Sequence, residues 1–127
     1  MNWMWTITAV IALALATCLA ACSSPCGDDS ISHTPSPNGK LTATVFIRDC
    51  GAGAPAATKV TIHSPSQRYD KKAEVVFTAR HEQNVRVSWQ DDSHLLVECI
   101  TCREGDLGLQ AKAVNSVTVS YEFLHRK

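Results

Sequence analysis

From residue 41 onward the chain alternates between apolar and polar positions. Leu41, Ala43, Val45 and Ile47 fall on one face, with Thr42, Thr44 and Arg48 on the other, which is the period-two signature of a half-buried strand. The pattern recurs over 59–63, where Val60 and Ile62 face inward, and over 74–79, where Val75 and Phe77 do. It continues with Val85, Val87 and Trp89, then with Leu95, Val97 and Cys99. The cleanest case is Val117, Val119, Tyr121 and Phe123 between Ser116, Thr118, Ser120 and Glu122. Turn chemistry separates these runs at Ser36-Pro37-Asn38-Gly39-Lys40 and Gln90-Asp91-Asp92-Ser93, since proline fixes φ and Asn-Gly tolerates positive φ. No window carries a helical stripe with caps. The expectation is an all-β domain, a small antiparallel meander or sandwich of about six strands.

The first residues read differently. Thr6 to Ala21 carries no charge and falls short of the about 20 predominantly apolar residues that span a bilayer. An apolar stretch followed by small residues is the layout of a secretory signal, and Leu19-Ala20-Ala21-Cys22 resembles a bacterial lipobox. In a lipobox the cysteine is acylated and becomes the new N-terminus. Each buried methylene contributes roughly 0.8 kcal/mol, so more than one acyl chain makes a durable anchor. Cys18 also lies in the apolar run, but Thr17 before it and the longer apolar run to Ala21 favour Cys22. Ser23 follows the cysteine rather than Asp, which in Gram-negative lipoproteins implies outer-membrane sorting. The Ser, Pro, Asp and Gly content of 23–37 reads as a solvated tether. The expected organisation is therefore a signal peptide over 1–21, a lipidated flexible tether over 22–37 and a single β domain over 38–127. The expected location is the cell envelope, lipid-anchored.

Charge narrows the partners. Lys plus Arg and Asp plus Glu are 12 each, and all lie after residue 22. A neutral domain lacks the electrostatic basis for nucleic-acid binding, which rests on phosphate neutralisation.

With Cys18 in the signal and Cys22 acylated, Cys26, Cys50, Cys99 and Cys102 remain. An even count in an exported chain reads as two disulfides. Three connectivities are open, with Cys99–Cys102 as a local bridge and Cys26–Cys50 tying down the N-terminal arm preferred. Cys99-Ile100-Thr101-Cys102 is also the spacing of a thiol oxidoreductase or of half a zinc site, although no helix start or second ligand pair accompanies it. Arg48-Asp49-Cys50-Gly51 suggests an activated nucleophile if His63 or His81 approaches. The plainer reading bridges Cys50, pairs Arg48 with Asp49 on the surface and starts a turn at Gly51.

His33, His63, His81, His94 and His125 share no metal-ligand spacing, and Asp28-Asp29 and Asp91-Asp92 lack the oxygen series of a calcium loop. Lys71-Lys72 beside Arg68 reads as a solvated loop. No metal or other cofactor is expected.

Two segments, 36–40 and 85–97, resemble pieces of β-propeller blades, but a propeller needs at least about four blades and there is no repeat. Ser36-Pro-Asn-Gly-Lys40 followed by Arg48-Asp49-Cys50-Gly51-Ala52 resembles a group of small, uncharacterised bacterial lipoproteins that carry a Ser-Pro-(Asp/Asn)-Gly-Lys turn and an Arg-Asp-Cys-Gly-Ala motif. The likeness covers about half of the mature chain, extends to a strand with a tryptophan before a polar turn (Trp89 to Leu95), and carries no activity with it. Cys99 and Cys102 are additions to that pattern.

The expected function is a non-enzymatic envelope lipoprotein that binds or buttresses a protein or glycan, with Arg48, Asp49 and Gly51 as binding candidates. Alternatives are a thiol-redox or metal-binding protein using Cys99 and Cys102, and an inhibitor-like module docking through the loop 51–58.

Overall fold

The computed structural model describes residues 26–51, 53–70 and 73–124. The signal segment, Cys22, Ala52, Lys71, Lys72 and His125 lie outside them. Among the described residues no helix is long and apolar enough to cross a membrane.

The chain is all-β. Its strands are β1 (Gly27–Pro35), β2 (Thr42–Asp49), β3 (Ala57–His63), β4 (Glu74–Arg80), β5 (Val85–Asp91), β6 (His94–Cys99), β7 (Leu107–Gln110), β8 (Ala113–Val114) and β9 (Val117–Phe123), with one 3-10 turn at Glu104–Asp106. They form a five-stranded sheet in the order β1-β2-β3-β4-β7 and a four-stranded sheet in the order β5-β6-β9-β8. The two pack face to face as a sandwich. Ala43, Val45, Val60, Ile62, Val76, Phe77 and Ala79 come from the first sheet, and Val85, Leu95, Val97, Cys99, Val117 and Val119 from the second, all buried in one core.

The first sheet is antiparallel between each pair of neighbours. The second is mixed, because β6 and β9 run parallel. After β6 the chain returns along β7, which joins the opposite sheet beside β4, and the β8–β9 hairpin then delivers β9 in the same direction as β6. Parallel neighbours require such a crossover.

Three expectations are corrected. Residues 27–35 do not belong to a solvated tether: they form β1, paired with β2 from Gly27↔Asp49 to Pro35↔Thr42. β1 contributes no buried residue, so no hydrophobic alternation marks it. It is held as an edge strand by its backbone ladder. Second, β4 buries Val76 and Phe77 together, whereas alternation placed Val75 and Phe77 inward. Val60 faces Phe77 and Thr61 faces Val75, so Val76 is the extra residue of a β-bulge. The Val76 carbonyl then accepts from Ala111 N–H at 2.8 Å, and the Tyr121 hydroxyl lies 2.9 Å from it and 2.5 Å from the Ala111 carbonyl. Burial pushes the Tyr121 phenol up to about 12. Third, Arg48 does not pair with Asp49, because consecutive strand residues point to opposite faces. Its partner is Asp28, directly across the ladder.

Two glycines sit where a side chain would not fit the geometry. Gly39 has φ +72 in the turn joining β1 to β2 and donates to the Ser36 carbonyl at 2.8 Å. A Cβ on Gly108 would collide with the Thr78 side chain, whose hydroxyl accepts the Leu109 N–H at 2.8 Å.

Both disulfides match the preferred pairing, Cys26–Cys50 and Cys99–Cys102. Their settings differ. Cys99 and Cys102 are buried at 0% and 2% exposure, whereas Cys26 and Cys50 are both exposed.

Candidate functional site

The register divides the sandwich into two ends. Cys26, Cys50, the start of β3 and the end of β4 lie at one, while the β1–β2 turn, His63, Glu74 and the β8–β9 turn lie at the other. β2 runs between them, and its eight residues span about 24 Å at about 3.4 Å per step.

The far end holds a cleft of about 220 Å³ between the sheets. Leu41, Ile62, Val114 and Val117 supply its apolar lining, and His63, Ser64, Gln67, Glu74, Asn115 and Ser116 its polar rim. Each lip is built by a turn. On one side Gln67 N–H donates to the Ser64 carbonyl at 3.1 Å, and the Gln67 side-chain oxygen accepts the Ser64 N–H at 3.1 Å. On the other, Asn115 adopts φ +53, which asparagine tolerates better than most side chains. The volume is below the about 300 Å³ at which pockets for drug-sized ligands begin. It suits one inserted side chain or a comparably small group. Glu74 is exposed and brings the rim's carboxylate.

His63 is fixed by a chain of hydrogen bonds crossing three strands. Its Nδ1 lies 2.8 Å from the Ser64 carbonyl, its Nε2 lies 2.8 Å from Thr44 Oγ1, and His33 Nδ1 lies 2.9 Å from the same hydroxyl. A carbonyl only accepts, so His63 Nδ1 carries the proton. In the neutral ring Nε2 then accepts from the Thr44 hydroxyl, whose oxygen in turn accepts from His33 Nδ1–H. The order follows from donor arithmetic. Thr44 is 0% exposed, so this hydroxyl is no nucleophile for an outside substrate; it holds the His63 ring on the face of the first sheet turned away from the core, opposite to Ala43, Val45 and Ile62. The neighbouring Thr61 hydroxyl is buried without a hydrogen-bond partner among the described residues.

The sequence candidates at 48, 49 and 51 gather at the opposite end, each with a local partner. Arg48 donates twice to Asp28, at 2.8 and 2.9 Å, and to the Asp70 carbonyl at 3.3 Å. Its guanidinium also lies 5.5 Å from the Phe46 ring centroid. Asp49 accepts the Gly51 N–H at 2.9 Å, and Gly51 has φ +90. Cys50 is bridged and offers no thiolate, while His63 stands at the far end of β3 and His81 bridges to Ala57. Of the acidic pairs, Asp91 accepts from His94 at 2.8 Å and from the Ser93 N–H at 2.8 Å, and these two bonds, His94 first, hold its carboxyl below the usual range. Among the described residues no three His, Cys, Asp or Glu side chains are grouped to hold a metal ion.

The Arg48 hydrogen bonds hold the Asp28 carboxyl below its ordinary 3.8, against the opposing effect of burial. A depressed folded value gives stability that is complete above the ordinary value and lost as pH falls through the folded one. Asp28→Asn is therefore expected to cost about 1 kcal/mol near neutrality, the scale of a partly screened pair. The gap from wild type should narrow below about pH 4. Urea titrations across that range check it, and a gap constant down to pH 2 would remove the ion pair as its cause.

No protein-family model, curated protein or solved structure matches the chain. The site therefore rests on its own geometry.

Proposed function

We propose that the chain is a cell-envelope lipoprotein, anchored by acyl chains on Cys22, whose β sandwich is a non-enzymatic module that grips a partner through the cleft at its far end. The observation that carries this reading is the arrangement of the two ends. The described fold begins at Cys26, four residues after the lipobox cysteine, so the linker reaches at most about 14 Å. A cleft with an apolar floor and a polar rim opens at the other end of the strands. A partner that inserts one apolar side chain, with a basic or amide neighbour facing Glu74, fits that rim and size. An envelope protein supplies such a side chain, whereas a glycan would have to enter by a small apolar substituent.

The geometry gives less support to the alternatives. Thiol exchange at Cys99–Cys102 requires an accessible sulfur, and both residues are sealed in the core. The loop 51–58 lies at the Cys26 end, where a bilayer within about 14 Å leaves little room for a docking enzyme.

The test is photocrosslinking of the full chain in cells, with a photoreactive side chain at Ser116 on the rim and, as a control, at Ser120 on the outer face of β9. Discrete adducts from Ser116 and none from Ser120 are expected. Equal labelling from both positions, or none from either, would refute the cleft as the contact surface.

A further inference from the structure

We infer that Cys26–Cys50 is an exchangeable disulfide, open to dithiol reductants of the envelope, whose reduction loosens β1 and lengthens the link between domain and membrane. Only the last consequence rests on Cys22 being acylated. Four features of the molecule support this. Cys26 and Cys50 are exposed, whereas Cys99 and Cys102 are sealed in the core, so a thiol reaches one bridge and not the other. The exposed bridge flanks the first ladder pair, Gly27↔Asp49, and so closes the open end of the β1–β2 hairpin. β1 is an edge strand with no buried residue, so opening it uncovers none of its own core. Its remaining ties include the ladder to β2, the Asp28–Arg48 pair, the His33–Thr44 bond, the edge contact of His33 with Tyr69 and the Trp89 indole donating to the Thr34 carbonyl at 2.9 Å.

The exchange balances as follows. One thiolate of the dithiol attacks the sulfur of Cys26 or Cys50. The S–S bond breaks, the departing thiolate takes up a proton, and a mixed disulfide forms. The second thiol of the reductant loses its proton and attacks that mixed disulfide, and the second cysteine leaves and is protonated. Two electrons and two protons pass to the protein, and the dithiol becomes a disulfide.

Beyond β1 the chain is next fixed at Ser36, which is buried. Ser36 N–H donates to the Leu41 carbonyl at 2.8 Å, and its hydroxyl donates to the Asn38 side-chain oxygen at 2.8 Å and accepts the Leu41 N–H at 3.2 Å. If β1 opens, the free link runs from 22 to 36, and its maximum reach rises from about 14 Å to about 50 Å. The bridge spans 24 residues. A loop of that length, once freed, raises the opening of the strand on the order of a hundredfold.

The test uses the full chain extracted in detergent with any lipid in place. It is treated with graded dithiothreitol under native conditions, alkylated with iodoacetamide and followed by intact mass and peptide mapping. Labelling of Cys26 and Cys50 is expected at reductant levels that leave Cys99 and Cys102 unlabelled until the protein is denatured. Hydrogen exchange on the reduced sample should show the β1 amides bonded to β2 exchanging on the order of a hundredfold faster, with β3 and β6 unchanged. Simultaneous labelling of both pairs, resistance of Cys26–Cys50, or unchanged β1 exchange would overturn the inference. A Cys26→Ser/Cys50→Ser variant should show the same loosening without reductant, and a folded variant with wild-type β1 exchange also overturns it. The intact mass reports acylation separately, so a chain without lipid fails the anchor reading while the exchange result stands or falls alone.

Discussion

Truncating Phe77 to alanine is expected to destabilise the domain by about 3–5 kcal/mol, the range for removing a fully buried aromatic ring. For a domain near one hundred residues, about 4–8 °C in Tm accompanies each kcal/mol, so a loss of about 12–40 °C should follow. Phe77 is 0% exposed, and its ring centroid lies 5.9 Å from that of Tyr121 on the opposite sheet. The cost falls at the upper end of the range where a site cannot collapse, and this site is held open. The bulge at Val76 is pinned by Ala111 and Tyr121, so β4 is not free to move into the void. Leu96→Ala is the control. Leu96 is half-buried on the outer face of β6, between Ser88 and Ser120, and should cost under about 1 kcal/mol. Thermal and urea melts of both variants decide the matter, and equal losses would mean that the core is not centred where the two sheets meet.

The strands that face the core on one side were the legible ones. β2, β3, β5, β6 and β9 announce themselves through Ala43-Val45, Val60-Ile62, Val85-Val87, Leu95-Val97 and Val117-Val119, whose core-facing positions recur with a period of two; that β2 and β3 also bury Thr44, Phe46 and Thr61 on their other face did not show in that pattern. β1 does not, because Asp28, Asp29, Ser30 and Ser32 can line an edge as readily as a loop, and pairing there needs only backbone. The two-residue β8 and the Leu-Gly-Leu-Gln of β7 are too short to carry a period. β4 misled by one residue at Val76, since a bulge shifts the phase of everything on one side of it. The parallel pairing of β6 with β9 depends on β7 crossing to the other sheet, a choice made by tertiary packing. For the site, the exposed and buried bridges followed the preferred pairing. The cleft did not show in the sequence: Leu41, Ile62, Glu74, Val114 and Val117 are distant along the chain and meet only where the two sheets face each other. The His33–Thr44–His63 chain was equally hidden, because only the register of β1, β2 and β3 brings it together. Arg48, a binding candidate in the sequence, commits its donors within the fold, to Asp28 and the Asp70 carbonyl.

Replacing Cys22 with serine is expected to move the protein almost entirely from the membrane fraction to the soluble one. A single myristoyl-length chain gives an association constant of only about 10⁴ M⁻¹, and stable attachment needs a second, so losing the acylation site removes the whole anchor. The released protein should keep its melting temperature within about 4 °C, since a surface change outside packed features falls within about 0.5 kcal/mol and each kcal/mol moves Tm by about 4–8 °C. Fractionation with a carbonate wash, paired with a thermal melt of the soluble product, measures both effects. If the serine variant still resists the wash, the apolar stretch Thr6 to Ala21 is holding it as an uncleaved anchor and the lipobox reading is wrong. If it is released but melts much lower, the segment before Cys26 is packing against the sandwich. Release with an unchanged melt would separate anchor from fold, as the Cys26–Cys50 bridge implies: β1 is closed at its first ladder pair by a bond within the domain, so its hold on β2 does not depend on what the N-terminus is attached to.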